Sequence, residues 1–175
     1  TAGTVYQKTH TLNVKELGGL MKKMPHTAVL FLIPALAICG LPPFNGFVSE
    51  FLVYGGLFRG TIQGFFPQSM LFLCSTFALV MVGGLAFLCF TKAFGVVFLG
   101  SPRKELDHEI TEVPRGMRLP QYLVVAAIVV IGLCPAPFVA LVAKPASLFI
   151  PLSADGAAAV AELTHLMFYI SAGAL

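Results

Sequence analysis

The sequence predicts an all-α fold: a polytopic bundle of transmembrane helices in which one helix is discontinuous. Three observations carry this expectation. First, 57% of the 175 residues are hydrophobic and 11% are charged, with a mean hydropathy of +0.88, whereas a soluble domain is roughly 45–50% apolar and about 25% charged. Second, no Asp, Glu, Lys or Arg occurs over residues 26–49, 60–91 or 119–143, and about 20 apolar residues suffice to cross about 30 Å of hydrocarbon. Third, Gly40-Leu-Pro-Pro-Phe-Asn-Gly46 interrupts the first of these stretches with residues that break helices. A soluble globular domain and a disordered chain are excluded. Nucleic-acid binding goes with them, because 11 Lys+Arg against 8 Asp+Glu leave only +3 and no basic face for phosphates.

Taken in order, residues 1–24 read as the end of a preceding helix and a basic cytoplasmic loop. Residues 25–59 read as the broken transmembrane helix, with Pro25 in the first turn, where proline is tolerated. A second transmembrane helix is expected over 69–99, capped by Ser69, followed by a cytoplasmic loop over 100–118. A third occupies 119–142, with Pro120 in its first turn and Pro135 and Pro137 ending or kinking it. Residues 143–175 then form an outer-side connection and a further helix cut off at Leu175. The chain opens on Thr1 without a basic and then apolar leader, so no signal peptide is visible, and it reads as a piece of a longer protein. No alternation of period two over about ten residues points to a membrane barrel.

Residues 25–59 could form one crossing by a broken helix or a hairpin of two short crossings, and the distribution of positive charge decides between them. With one crossing, Lys8, Lys15, Lys22, Lys23, Lys92, Arg103, Lys104, Arg115 and Arg118 share one side, nine residues against Arg59 and Lys144. A hairpin divides the same residues six against five. The single crossing is preferred, with the Lys-rich side cytoplasmic.

Unpaired backbone groups in hydrocarbon cost several kcal/mol each, so a break at this depth must be buried in protein or line a wet cavity. Gly40, Pro42, Pro43 and Gly46 are the candidate break residues. Discontinuous helices place half-helix ends and freed carbonyls around transported ions, and Glu50 follows one turn after Gly46. A charged residue at a helix centre costs roughly 2.5–3.5 kcal/mol on insertion scales. Desolvation favours the neutral carboxyl and a nearby cation favours the charged one, so a balanced group can carry protons. Glu50 is therefore the first candidate for proton translocation; the plainer alternative is an interfacial or helix-pairing carboxyl. Lys92, in Phe90-Thr-Lys-Ala-Phe94, is the second candidate. It either lines a cytoplasmic half-channel or snorkels to the headgroups.

Other polar residues carry less. Cys39, Cys74, Cys89 and Cys134 sit in apolar runs without a C-x-x-C spacing and read as buried structural thiols, not as a disulfide framework or zinc site. His10, His26, His108 and His165 read as surface or interfacial residues. Gly18-Gly19 reads as a turn and Gly83-Gly84 as a helix-packing pair. Neither pair has the context of a phosphate loop. The mixed-charge stretch from Ser101 to Arg118 reads as a solvated loop, with docking of a soluble partner protein of the complex the lesser reading. No metal site and no cofactor are expected.

Thr9-His-Thr11, Leu17-Gly-Gly-Leu20, Met24-Pro25 and Leu41-Pro-Pro-Phe-Asn-Gly-Phe-Val-Ser-Glu-Phe51 carry a resemblance, supported by Lys92-Ala-Phe-Gly95 and Phe98-Leu-Gly-Ser-Pro-Arg103. From about Thr1 to Val142 the chain resembles the C-terminal third of the antiporter-like proton-translocating membrane subunits. These occur in respiratory complex I, multisubunit cation/proton antiporters, and hydrogenase-4 and formate hydrogenlyase complexes. The resemblance implies a larger bundle of about fourteen helices with two inverted five-helix repeats, each with one broken helix, and places Glu50 in the second of these, near the outer exit of a chain of protonatable groups. Glutamate at position 50 resembles two branches, the hydrogenase-type subunit and the middle of the three complex I homologues, and residues 41–46 look closer to the hydrogenase-4 type; Phe51, where those members often carry Trp, is a departure. The apolar segment after Lys144 also suits the longer hydrogenase members.

The implied function is that of a non-catalytic, proton-pumping subunit of a redox-driven oxidoreductase complex. Its expected partners are other membrane subunits, the lipid bilayer and, indirectly, soluble redox subunits. The expected location is the bacterial or archaeal inner membrane. A component of a multisubunit Na⁺/H⁺ antiporter is the first alternative, and a structural membrane scaffold the second.

Overall fold

A computed structural model describes residues 1–11, 13–101, 110–146 and 154–174. The described residues are helical, without a strand: α1 (Ala2–Thr9), a 3-10 turn (Leu20–Lys22), α2 (Pro25–Ile38), α3 (Asn45–Gln63), α4 (Phe66–Phe98), α5 (Arg115–Leu133), α6 (Pro135–Ala146) and α7 (Ala154–Gly173). The all-α membrane architecture read from the sequence is the one observed. Two helices, α4 and α5, are each long and apolar enough to cross a bilayer, while α2 is a shorter apolar helix.

Local chemistry explains most of the boundaries. Pro25 occupies the start of α2, where its missing N–H costs nothing. The next donors are met by Glu112, whose carboxylate accepts from the His26 backbone N–H at 3.1 Å and the Thr27 hydroxyl at 2.6 Å. This places a negative charge on the positive end of α2 and satisfies groups that a helix start leaves unpaired. Pro135 separates α5 from α6, as expected from its lack of an amide proton.

Two expected starts shift. The second long helix begins at Phe66, not near Met70, and the Ser69 hydroxyl donates backwards to the Gly64 carbonyl at 2.9 Å instead of capping its own helix. Pro67 tolerates the first turn, so the helix needs no later start. Likewise α5 begins at Arg115, which leaves Pro120 inside it. The charged residues before Leu119 continue the helix beyond the apolar stretch. At about 1.5 Å per residue the 33-residue α4 is about 50 Å long, more than the hydrocarbon thickness requires.

Packing is concentrated at the basic end. Leu17, Leu20 and Met24 are buried with Val5, Ala28, Phe98, Ile110 and Val113, with Phe31, Phe94 and Val97 against them. The Phe31 ring of α2 lies 5.4 Å from Phe98 and stacks on Phe94 at 6.4 Å, in the range where aromatic pairs attract. Gly19, at φ 65°, turns the basic loop so that its N–H donates to the Leu99 carbonyl at 3.0 Å. The turn reading of Gly18-Gly19 fits this. The packing reading of Gly83-Gly84 does not, because nothing lies within 4 Å of a methyl placed at either residue. The cysteines also differ from expectation: Cys74, Cys89 and Cys134 are exposed and Cys39 is half-buried. An apolar run supplies thiols to a membrane helix on its outward face as readily as on its inward one.

Candidate functional site

The first apolar region is divided into α2 and α3 by residues 39–44. α2 closes in a Schellman arrangement: the Gly40 N–H donates to Ala37 O at 3.2 Å and the Leu41 N–H to Leu36 O at 3.3 Å. Gly40 makes this possible at φ 68°, in the left-handed region that a side chain disfavours. The Pro42–Pro43 peptide is cis, and the Phe44 N–H closes a turn onto Leu41 O at 3.1 Å. Phe44 then precedes α3 with extended backbone and no side-chain cap.

Close backbone contacts hold the break. A methyl on Gly46 would collide with the Ala37 carbonyl oxygen and lie 2.8 Å from its carbon, so the first turn of α3 rests directly on the last turn of α2. A methyl on Gly132 would collide with the Pro43 carbonyl oxygen and lie 2.8 Å from the Phe44 carbonyl carbon, so α5 walls the break from another side. The interrupted backbone is thus packed against α2 and α5 and mostly half-buried, with Leu41 exposed, in the direction the physics of hydrocarbon demands.

Glu50 is the sixth residue of α3 and half-buried. Its side chain runs back toward the start of its own helix, the usual direction for a long side chain on a helix. The carboxylate rests on Gly40: a methyl there would overlap Oε2 and stand 2.8 Å from Cδ and 3.1 Å from Oε1. The carboxyl therefore lies between the negative C-terminal end of α2 and the positive N-terminal end of α3.

Gly40, Pro42, Pro43 and Gly46 form the break itself, with Glu50 seated on it. Lys92 is not brought to them. Phe90 and Phe94 of α4 both approach Phe31, at 6.5 and 6.4 Å, and Lys92 lies about 200° around the helix from Phe90, on the exposed side. An open cavity of about 660 Å³ starts at Asn45 and Ser49 beside the break and follows one face of α3 past Gly56 to Arg59, with Phe138 and Leu163 on its other side. Of the histidines, His26 lies 2.9 Å from the Tyr122 hydroxyl, His10 caps α1, and His165 lines a separate apolar cavity between α6 and α7. His108 is outside the described residues, as are Arg103, Lys104, Glu105, Asp107 and Glu109 of the mixed-charge stretch. Among the described residues no group of His, Cys, Asp and Glu could hold a metal ion.

Two residues of consequence carry no signal in the sequence reading. Gly132 looks like an ordinary small residue in an apolar helix, although its place one turn before Pro135 marks a helix end that must pass close to something. Glu112 looks like one more charge in a solvated stretch, yet it tethers that stretch to α2. Lys8 adds a second tie, donating to the Thr111 hydroxyl at 3.1 Å.

Residues 1–81 match the family described as NADH:quinone oxidoreductase/Mrp antiporter, transmembrane. The chain is 38% identical over 136 residues to hydrogenase-4 component B of Escherichia coli, covering 75% of this chain and 20% of that protein. It is 34% identical over 137 residues to formate hydrogenlyase subunit 3 of the same organism, covering 78% and 22%. To a Na(+)/H(+) antiporter subunit of Alkalihalophilus pseudofirmus it is 30% identical over 173 residues, covering 97% and 21%. The chain thus spans about a fifth of the length of these relatives, each of which is named as a component or subunit of an assembly. With a broken apolar helix carrying a seated carboxyl in the matched region, the chain belongs to the antiporter-like family of integral membrane subunits.

Proposed function

We propose that the chain is part of a proton-translocating membrane subunit of a redox-driven complex, of the hydrogenase-4 and formate hydrogenlyase type. Glu50 carries the reading: a carboxyl docked on the left-handed glycine just past the end of one half-helix and held by the first turns of the other. Protons arriving from the interior of the longer protein load Glu50 and leave from it toward the outer side. Residues 25–59 act as a single broken crossing, with the Lys-rich loops on the cytoplasmic side of an inner membrane. Lys92, on the exposed side of α4, matters less to ion movement than Glu50. The subunit itself does no redox chemistry; its partners are other membrane subunits and, through them, soluble redox subunits.

The test uses the full-length protein in its native complex. Glu50→Gln keeps the shape of the side chain and removes its exchangeable charge. Redox-driven proton uptake into inverted vesicles should fall to background while assembly is unchanged. Glu50→Lys should restore part of the flux, because lysine also loads and releases a proton. Wild-type uptake in the Gln variant would reduce Glu50 to a packing residue.

A second reading, a component of a multisubunit Na⁺/H⁺ antiporter, has one observation in its favour. The antiporter relative covers 97% of the chain, including its last segment, whereas the hydrogenase relatives cover 75% and 78%. The segment after Lys144 therefore does not by itself favour the hydrogenase branch. Sodium-dependent proton flux without an electron donor would select the antiporter reading.

A further inference from the structure

At the basic end of the molecule, away from Glu50, a cavity of about 320 Å³ opens between the starts of α2 and α5, lined by His26, Arg115, Arg118, Leu119 and Tyr122. Its polar lining is two guanidinium groups, an imidazole and a phenol. The Arg118 Nε is buried and has no hydrogen-bond partner among the described residues, a costly state for a charged donor unless something outside the chain accepts from it. The nearby carboxylate, Glu112, is engaged by the His26 N–H and the Thr27 hydroxyl. Tyr122 and His26 hold each other at 2.9 Å, which fixes both rings at the rim.

We propose that this pocket binds the phosphate of an anionic phospholipid. Two arguments favour a lipid headgroup over a free phosphate. Arg115 and Arg118 are the last charges before the charge-free stretch 119–143, so they stand where a membrane helix meets the headgroups, and basic pockets between helices on the cytoplasmic side suit anionic lipids. Immediately beyond them, Leu119 and Leu123 are 62% and 66% exposed one turn apart on α5. They continue toward exposed Val130 as an apolar track for an acyl chain. Guanidinium groups bind phosphate oxygens in a fork, and Arg115 and Arg118 bring two of them to one pocket. The site depends on the helices meeting the bilayer and not on the role of Glu50.

The probe is phosphatidylglycerol carrying a photoreactive group in its acyl chain, added to the full-length protein in its complex in detergent. Labelling should fall on the peptide around Leu119–Leu123. Excess unlabelled phosphatidylglycerol should compete, and phosphatidylcholine or inorganic phosphate should not. The Arg115→Gln/Arg118→Gln double variant should lose labelling by about tenfold or more, given the usual contribution of each cation near an anionic headgroup. Equal competition by phosphatidylcholine would show a plain apolar contact, competition by inorganic phosphate would show a free-anion site, and either overturns the proposal. So does full labelling of the double variant. If that variant does not assemble, the competition series on the unmodified protein decides alone. Glu50→Gln should label normally, so failure here is separable from failure of the proton-carrier reading.

Discussion

Gly40→Ala tests the seat of Glu50 without touching Glu50. The substitution has two separate effects. At φ 68° a side chain is disfavoured by roughly 1–2 kcal/mol, while alanine in place of glycine recovers up to about 1 kcal/mol by narrowing the unfolded ensemble, so the net cost to stability is about 1 kcal/mol. The second effect is geometric. The new methyl would stand 2.8 Å from Glu50 Cδ and overlap Oε2. Carbon atoms rest at about 3.5–4.0 Å, so the carboxyl must withdraw by about 1 Å. The end of a Glu side chain can do this at little cost in stability, but a group displaced by about 1 Å loses as much as a hundredfold in reactions that need alignment. Proton flux per assembled complex should therefore fall by about tenfold or more, out of proportion to any loss of assembly.

The assay is redox-driven proton uptake by inverted vesicles, divided by the amount of assembled protein. Gly40→Asn separates the two effects, because Asn tolerates the left-handed region better than Ala but still adds Cβ. It should assemble better than Gly40→Ala and lose as much flux. Gly83→Ala, with open space around the added methyl, is the control for a harmless methyl in an apolar helix. If both Gly40 variants pump at the wild-type rate per complex, the carboxyl is not docked on Gly40 in the working protein. If flux falls only in step with assembly, the glycine serves the backbone and not the carboxyl.

Three further outcomes are expected. Gly132→Ala pits a new methyl against the Pro43 carbonyl, a backbone group that cannot swing aside. It should destabilise the full-length protein by about 1–3 kcal/mol, read as a lower unfolding temperature in detergent and poorer assembly than Gly83→Ala. Glu112→Gln keeps an acceptor at the start of α2 but removes its charge, and should cost about 0.5–1 kcal/mol in the same unfolding measurement. Glu112→Ala should cost about 1–3 kcal/mol, because it strands the Thr27 hydroxyl, which is 0% exposed. Lys92→Arg keeps the charge but gives up a releasable proton; near-normal uptake is expected from an exposed position on α4, and a large loss would move Lys92 into the conducting path.

The parts of the molecule legible in the sequence are those governed by local or compositional rules. Charge-free stretches mark α4 and α5 because desolvation penalises charge at every residue of a span. Gly40 and the prolines after it interrupt the first apolar region because their backbone limits act wherever they stand. Helix starts are less legible: Ser69 and Pro120 can cap or begin a helix, and only the preceding residues decide whether one is already under way. The identity of Glu50 as a carboxyl in an apolar run is plain, but its seat is not. That seat depends on Gly40 of one half-helix meeting the side chain of the other, ten residues on, across a turn whose path the sequence does not specify. Gly132 is less legible still, since its reason for being glycine is the Pro43 carbonyl almost ninety residues earlier.

This asymmetry bears on how the site works. The proposed carrier is the side chain that composition exposes, because a carboxyl among apolar residues is conspicuous in any reading. The residues that set its surroundings are glycines whose contribution is the absence of a side chain: Gly40 beneath the carboxyl, Gly46 against Ala37 and Gly132 against Pro43. Each brings backbone dipoles closer than a methyl allows, and backbone dipoles are fixed partial charges that need no titration of their own. Glu50 thus sits where three helices approach closely, and the contact of Gly132 with the Pro43 carbonyl ties α5 to the break. On the proposed function, a proton carrier built this way would respond to helix position as well as to neighbouring charge. On that proposal the Gly132 contact would give a larger assembly a mechanical route to the same carboxyl through α5, and Gly132→Ala would lower flux per assembled complex as well as stability.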